Sequence, residues 1–591
     1  MNYFALLGVV SKSAICLCFT FYKSFMSVCL TEIEEYSSKD TVFLQYEHSH
    51  PKTVSAFRSM QNGSYWFERL LSLEHSWKQR VTQQKKVVIS YSKPPESSKN
   101  APYYDIVYGG GGLATIHAAA MAKLHNLKPL VFDKFTVGIT HRDWNISQVE
   151  FDQLITIGLL TKEQAEEVVV RRYNNGFVEF FSENSEFNGG RIWMEGVLDI
   201  AISANDLLHT CKNILIEKGG EFSHSTSFSH VWVHNGKATI EILKDGVVSY
   251  LQCGVFVDCM GSYSPVAQQL NPKGSFTHCC PTVGTISSGF VNGTNKDEVD
   301  PTIGEILLTL DDAQPDGRQF IWEGFPSKDD EFVTYLFFYD EIESETDKSL
   351  LNLFEIFFEK LPTYKKLGEN FDYGRPAFGM IPSILHPTLR NSRIVATDSI
   401  VCLGDSAALS SPLTYCGFGS FVRNFDRTTS LLAYAITNNL TTVEYLSEIN
   451  AYEPNVSIVG NFAKFLVGKK KFESNTVNSM MNMIVSILQE LPQSVAKSLF
   501  TDTLKWEDYN KLMSSVPVKY PHSYAYLFKH HGFIGLVRWA KNFLGFTAYH
   551  FFTNKNNSLS KSQILQQYKG SKAFTLLVSY FHSQKGKPVT N

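Results

Sequence analysis

Long basic blocks are missing from this chain, and charge of either sign is scarce. Asp, Glu, Lys and Arg make up 19% of its 591 residues, with a formal net charge of −4, where about a quarter is usual. Affinity for a phosphate backbone depends on clustered Lys and Arg, so a nucleic-acid surface is excluded. No CxxC pair occurs among the ten cysteines. Neither a zinc site, another metal cluster nor a disulfide framework is therefore expected, and reduced thiols in an intracellular compartment are the default. No stretch reaches the length of a transmembrane helix, and no internal repeat is present. Acidic residues are absent before Glu32, while Lys12 and Lys23 flank an apolar, Ser- and Cys-containing run over 13–22. That pattern suits an organelle transit or signal-type leader, so residues 1–40 are expected to be a targeting segment.

What the chain has in quantity is aromatic surface. Phe occurs 44 times and Tyr 27 times, and aromatics total 13%. Such a chain can bury a large core and still line an apolar cavity for a lipophilic ligand. Its length implies roughly two to four structural units. Residues 41–100 read as an extension ending in a linker rich in Pro, Ser and Lys (92–100). Residues 101–450 are expected to interleave a dinucleotide-binding domain with a second sheet that binds substrate. Residues 451–591 read as mainly helical. The class is α/β, Rossmann-like.

The dinucleotide reading begins at 103–133. A short apolar strand (103–108) runs into Gly109, Gly110, Gly111 and Gly112, then a helix (114–124), then a second strand (130–132) closed by Asp133 and Lys134. Glycines at such a turn let backbone N–H groups approach a pyrophosphate seated on the helix amino terminus. Two registers fit, Gly110-x-Gly112-x-x-Thr115 and Gly109-x-Gly111-x-x-Ala114. The second is preferred, because Ala replaces a packing glycine more easily than Thr. Asp133 stands where an acid accepts the adenosine ribose hydroxyls. A strand at 255–258 ends in Asp258 and Gly261. A later strand ends in Gly404 and Asp405, followed by Pro412, Gly417 and Gly419. A carboxylate at Asp405 can meet a ribityl chain, and a helix opening near Gly417 offers donors to a flavin. Residues 149–173 read as helical. The segments 231–233, 238–243 and 333–339 read as strands of the second sheet.

These blocks, in this order, resemble the FAD-dependent hydroxylase and lycopene cyclase superfamily. Within it, Arg142-Asp143-Trp144-Asn145-Ile146-Ser147, Ile192-Trp193, Trp322-Glu323-Gly324-Phe325-Pro326 and Ser411-Pro412-Leu413-Thr414-Tyr415-Cys416-Gly417 resemble the CruA/CruP group of lycopene cyclases and their plastid paralogs. The Trp-x-Trp-x-Ile-Pro word of flavin halogenases is not matched. The resemblance implies FAD, reduced for activity with NAD(P)H as a possible reductant, and a carotenoid or other isoprenoid substrate. It also implies proton-initiated ring closure without net redox change, in a plastid, with peripheral membrane contact. The implied FAD set is Gly109 to Gly112 with Ala114, Asp133, Lys134, Arg142, Asp258, Gly261, Gly404, Asp405, Pro412, Gly417 and Gly419. Arg142 either neutralises the pyrophosphate or sits solvated in a turn. Trp144, Asn145 and Trp322 are expected at the substrate pocket.

Ring closure needs an acid that stays protonated near neutral pH, which an apolar pocket provides. Glu323 and Asp340 are the candidates, with Glu323 slightly preferred. The Phe-Leu-Glu-Glu-Thr word of plant-type cyclases is absent. Two rivals follow: a flavin monooxygenase or isoprenoid reductase on the same scaffold, and a non-catalytic flavin- and carotenoid-binding paralog acting in photoprotection. Near the carboxy terminus, Lys469, Lys470, Lys471 and the run 530–539 mix basic and apolar residues as a membrane-surface helix does.

Overall fold

The computed structural model describes residues 41–79, 87–140, 143–272, 276–389, 391–450, 452 and 454–557. The expected leader over 1–40 and Arg142 lie outside them. The chain is mixed α/β, with parallel and antiparallel pairing in its first sheet and helices at its carboxy-terminal end.

Four parallel strands of the first sheet bring the three sequence blocks to one edge. Tyr103–Gly109 lies between Pro129–Phe132 and Val247–Asp258, and Ile400–Cys402 pairs with the last turn of the latter. Gly109 is registered against both Phe132 and Asp258, and Asp258 against Cys402. The glycine run, Asp133, the Asp258 block and the Gly404 block therefore all begin beyond the carboxyl ends of neighbouring strands. Ligands of open α/β sheets bind in this position. The strands are buried on both faces, so they read as continuous apolar runs rather than alternating ones.

The helix Leu113–His125 follows the glycines. Its Ala118, Ala119, Ala120 and Ala122 combine high helix propensity with small volume, and all are buried against the sheet and the helix Ala204–Glu217. The segments at 231–233 and 238–243 fall in Thr226–His234 and Lys237–Lys244. These extend the first sheet as an antiparallel meander onto Val247–Asp258, and so are not part of the second sheet. Alternation alone identified them as strands, but it carries no information about which sheet a hairpin joins. The helix over 149–173 is also divided. Gly158, with φ 83°, breaks it, and Val169–Arg172 continues as a strand whose β-branched start favours extended backbone.

The second sheet has eight strands. At its centre Ile321–Pro326 pairs antiparallel with Phe332–Phe337, which pairs in turn with His278–Phe290. One face looks toward the first domain. The other is covered by Leu350–Tyr364. Residues 41–79, read as an extension, form the helices Pro51–Ser59 and Gly63–Gln79 and share this core. The Phe57 ring meets that of Phe354 edge-on at 5.1 Å. Glu355 accepts the Thr53 N–H at 2.9 Å and its hydroxyl at 2.8 Å. From Pro454–Leu466 to Ser523–Asn557 the chain is helical as expected.

Candidate flavin and substrate cavity

A cavity of about 490 Å³ lies between the two sheets, within the range of small-molecule sites. Its walls join the sequence blocks: Gly112, Cys259, Gly261, Gly404, Asp405, Gly417 and Gly419 on the first-domain side. Glu323, Phe325, Tyr335, Phe337 and Tyr339 face it from the second sheet, and Trp144 and Asn145 stand between the two.

The glycine turn is built with little slack. Gly110 has φ 107°, and a Cβ there would lie 2.3 Å from the Cys259 carbonyl oxygen. Gly112 caps the helix Leu113–His125 at its amino end, and a Cβ there would meet nothing within 4 Å. That open position, at the positive end of a helix, is where an anionic group can reach backbone donors. Ala114 is fully buried in the helix–sheet contact, as the preferred register requires, and Thr115 is accommodated by donating its hydroxyl to the Gly111 carbonyl at 2.8 Å. Asp133 stands beside the turn rather than on the cavity wall. Its two oxygens accept the N–H groups of Gly111 (2.6 Å) and Phe135 (2.7 Å), which fixes the carboxylate at the strand end.

Three members of the implied FAD set take other positions. Asp258 is fully buried and turned inward, accepting from Ser264 Oγ at 2.5 Å and the Met260 N–H at 3.0 Å. It holds the loop that carries Cys259 and Gly261, and burial raises its carboxyl to about 6. Lys134 is exposed, with its Nζ 4.9 Å from the Phe135 ring centre. Pro412 lies off the cavity wall, against the site where Gly460 would carry a Cβ.

The block around Trp144 positions the opposite wall. The Trp144 indole stacks on Phe418, with centroids 4.5 Å apart and planes at 27°. Ser147 and Glu150 form a capping box on Gln148–Phe151, and Glu150 also takes Arg423 Nη1 at 2.5 Å. Arg423 ends the helix Gly417–Arg423, so one carboxylate ties the Trp144 block to the helix that opens at Gly417. The Ser-x-x-Glu spacing is a readable capping signal; its partner Arg423 is distant in sequence and gave none. Asn145 donates to the Tyr173 hydroxyl at 3.0 Å, which donates to the Pro326 carbonyl at 2.6 Å. Asp143, also on the cavity wall, is paired with Arg375 at 2.9 Å.

On the second sheet, strand parity separates the two candidate acids. Glu323 and Phe325 point into the cavity, so Trp322 points away and stacks on Tyr364 at 4.4 Å. Trp322 is therefore a core residue behind the sheet, not a pocket residue. Tyr339 lines the cavity, so Asp340 next to it faces elsewhere. Its carboxylate is locked by Lys348 at 3.0 Å and Ser344 at 2.6 Å. Glu323 has no such partner among the described residues. It sits among Cys280, Tyr335, Tyr339 and Cys416, and burial alone pushes its carboxyl up to about 8. Its remaining surface opens onto the cavity. Burial likewise raises the Cys280 and Cys416 thiols and the Tyr339 and Tyr415 phenols, so all four stay neutral. The wall around Glu323 thus offers aromatic faces, neutral thiols and one protonated carboxyl.

No family model and no curated protein matches the chain. Solved structures do. The flavin-dependent brominase Bmp2 aligns with 71% of this chain and 99% of its own at 12% identity, with a TM-score of 0.50. A geranylgeranyl bacteriochlorophyll reductase-like protein from Thermoplasma acidophilum covers 71% and 98% at 13% identity and a TM-score of 0.47. A variant of the halogenase PltM in complex with FAD covers 71% and 91% at 10% identity, with a TM-score of 0.47. Similarity at this level speaks to architecture. The fold is that of the FAD-binding, Rossmann-type flavoproteins, with a helical carboxy-terminal region.

Proposed function

We propose that the chain is an FAD-dependent enzyme of isoprenoid chemistry, closing a ring on a carotenoid by proton transfer from Glu323. The observation that carries this reading is the Glu323 carboxyl, unpaired among the described residues and raised by burial to about 8 on an aromatic stretch of wall, in the same cavity as the glycine turn and Asp405. Gly112 and the helix behind it would hold the pyrophosphate, Asp133 the adenosine ribose and Asp405 the ribityl chain. The Gly417–Arg423 helix would border the flavin ring. Reduced FAD, when bound, supplies an electron-rich ring system that favours a nearby cation.

The chain's own part is acid catalysis. Glu323 gives its proton to the terminal double bond of the polyene, leaving a tertiary cation on the adjacent carbon. The neighbouring double bond attacks that carbon and closes the ring. Loss of a proton to the Glu323 carboxylate restores a double bond and the acid. Atoms and electrons balance without an external oxidant or reductant. Tyr335, Tyr339, Tyr415 and Trp144 line the same cavity, and aromatic rings there would stabilise the cation.

Pigment analysis in a lycopene-accumulating host tests this. The wild-type chain should convert lycopene to a β-ring product, and Glu323→Gln should leave lycopene unchanged while retaining flavin. Unchanged lycopene with the flavin-loaded wild type would sink the cyclase reading. Substrate-dependent, stoichiometric NAD(P)H oxidation would replace it with a monooxygenase or reductase.

A further inference from the structure

We infer that the outward face of the last helix docks on an anionic lipid bilayer. Ser523–Asn557 bends at Gly532, where φ is 62° and ψ 175°, and the part beyond runs over the helical region with apolar side chains on both faces. Its inner face is occupied. Trp539 Nε1 donates to the Tyr509 hydroxyl at 2.7 Å, Trp506 Nε1 donates to Thr547 Oγ1 at 2.8 Å, and Phe546 is buried. The outer face is not covered by any described residue. Phe533 is 72% exposed, Ile534 75%, Val537 55%, Leu544 67% and Phe551 59%. Positions 534, 537, 541, 544 and 551 recur at helical spacing, so Ile534, Val537, Leu544 and Phe551 form one apolar stripe with Lys541 set in it. Single exposed apolar residues are ordinary on a protein surface, whereas a continuous stripe marks an interaction face.

Charge decides what kind of partner fits. Residues 523–557 contain Lys529, Arg538, Lys541 and Lys555 and no Asp or Glu, in a chain whose formal net charge is −4. Lys541, within the stripe, and Arg538, beside it, are both exposed. A second copy meeting this face with its own would bring like charges together, which opposes self-association. An anionic bilayer satisfies both features, taking the apolar side chains into the acyl boundary and the Lys and Arg heads among the phosphates. Among the described residues no helix is long and apolar enough to cross a membrane, so the helix would lie along the surface.

Vesicle sedimentation of the full chain tests it, with vesicles of phosphatidylcholine alone and of phosphatidylcholine mixed with phosphatidylglycerol. Binding to the mixed vesicles should exceed binding to the neutral ones by about tenfold and weaken with added salt. A double variant, Ile534→Glu with Leu544→Glu, should lose this binding while keeping the wild-type melting temperature. Equal sedimentation of the double variant, or a wild type that stays in the supernatant with both vesicles, overturns the proposal. A concentration-dependent dimer abolished by the same substitutions, without vesicle binding, overturns it in favour of a second copy.

Discussion

The Glu323 carboxyl keeps its proton to about pH 8 because burial penalises its anion. Its folded value lies above its ordinary 4.5, so the folded chain binds this proton more tightly than the unfolded chain does. The corresponding stability is fully present below about pH 4.5 and is lost as pH rises through about 8. Chemical denaturation of wild type and Glu323→Gln across that window should show their stability difference shifting against wild type by on the order of 3 kcal/mol, a figure discounted for water reaching the cavity. The comparison cancels the other shifted groups that titrate there, Asp258 raised by burial and His117, His278 and His386 lowered by it. The glycine turn allows an equally specific contrast. Gly110→Ala forces a Cβ into the Cys259 carbonyl and should fail to fold. Gly112→Ala points into open space and should melt like wild type, yet weaken FAD binding at least about tenfold by crowding the approach to the helix amino terminus. Fluorescence titration and thermal melts measure the two effects separately. The glycines and Asp133 were legible in the sequence because their chemistry is local, one strand, one turn and one helix. Glu323 was only slightly preferred to Asp340 there. Both adjoin apolar strand residues, and only pairing across the sheet decides which side chain faces the cavity.

Between elements, the Glu150–Arg423 pair joins the short helix after Trp144 to the helix Gly417–Arg423. Both side chains are nearly buried, so removing one leaves the other charge poorly solvated. Glu150→Ala should cost about 3 kcal/mol, and Glu150→Ala combined with Arg423→Met less than that. Denaturant midpoints of the two variants check the order, and a double variant less stable than the single one would contradict it. Trp144 on Phe418 makes the same bridge through ring stacking, so the two contacts together set the position of the Gly417 turn. The sequence presented these words as separate motifs. Their contact arises from the fold, since 273 residues separate Glu150 from Arg423.

For the molecule as a whole, two sheets and a helical region border the cavity, and the chain reaches that arrangement through contacts of very different range. The parallel strand ends at Gly109, Phe132, Asp258 and Cys402 were foreseeable, because a strand that stops at a glycine or an acid marks its own end. The role of residues 41–79 was not foreseeable. Their polarity is mixed, as in an extension outside a core, and only the packing of Phe57 and Phe67 near Phe354 shows them covering the back of the second sheet. Likewise Trp322, next to Glu323 in a motif, belongs to that rear core. We propose this space as a flavin site with a protonated carboxyl on its wall. Titration of the purified full chain with FAD, followed by the flavin's absorbance and fluorescence, tests it most directly. One FAD per chain, with affinity lowered by Gly112→Ala and by Asp405→Ala but kept by Glu323→Gln, is the predicted result. A chain that takes up no FAD, or takes it up equally well with both cradle positions altered, would contradict the account.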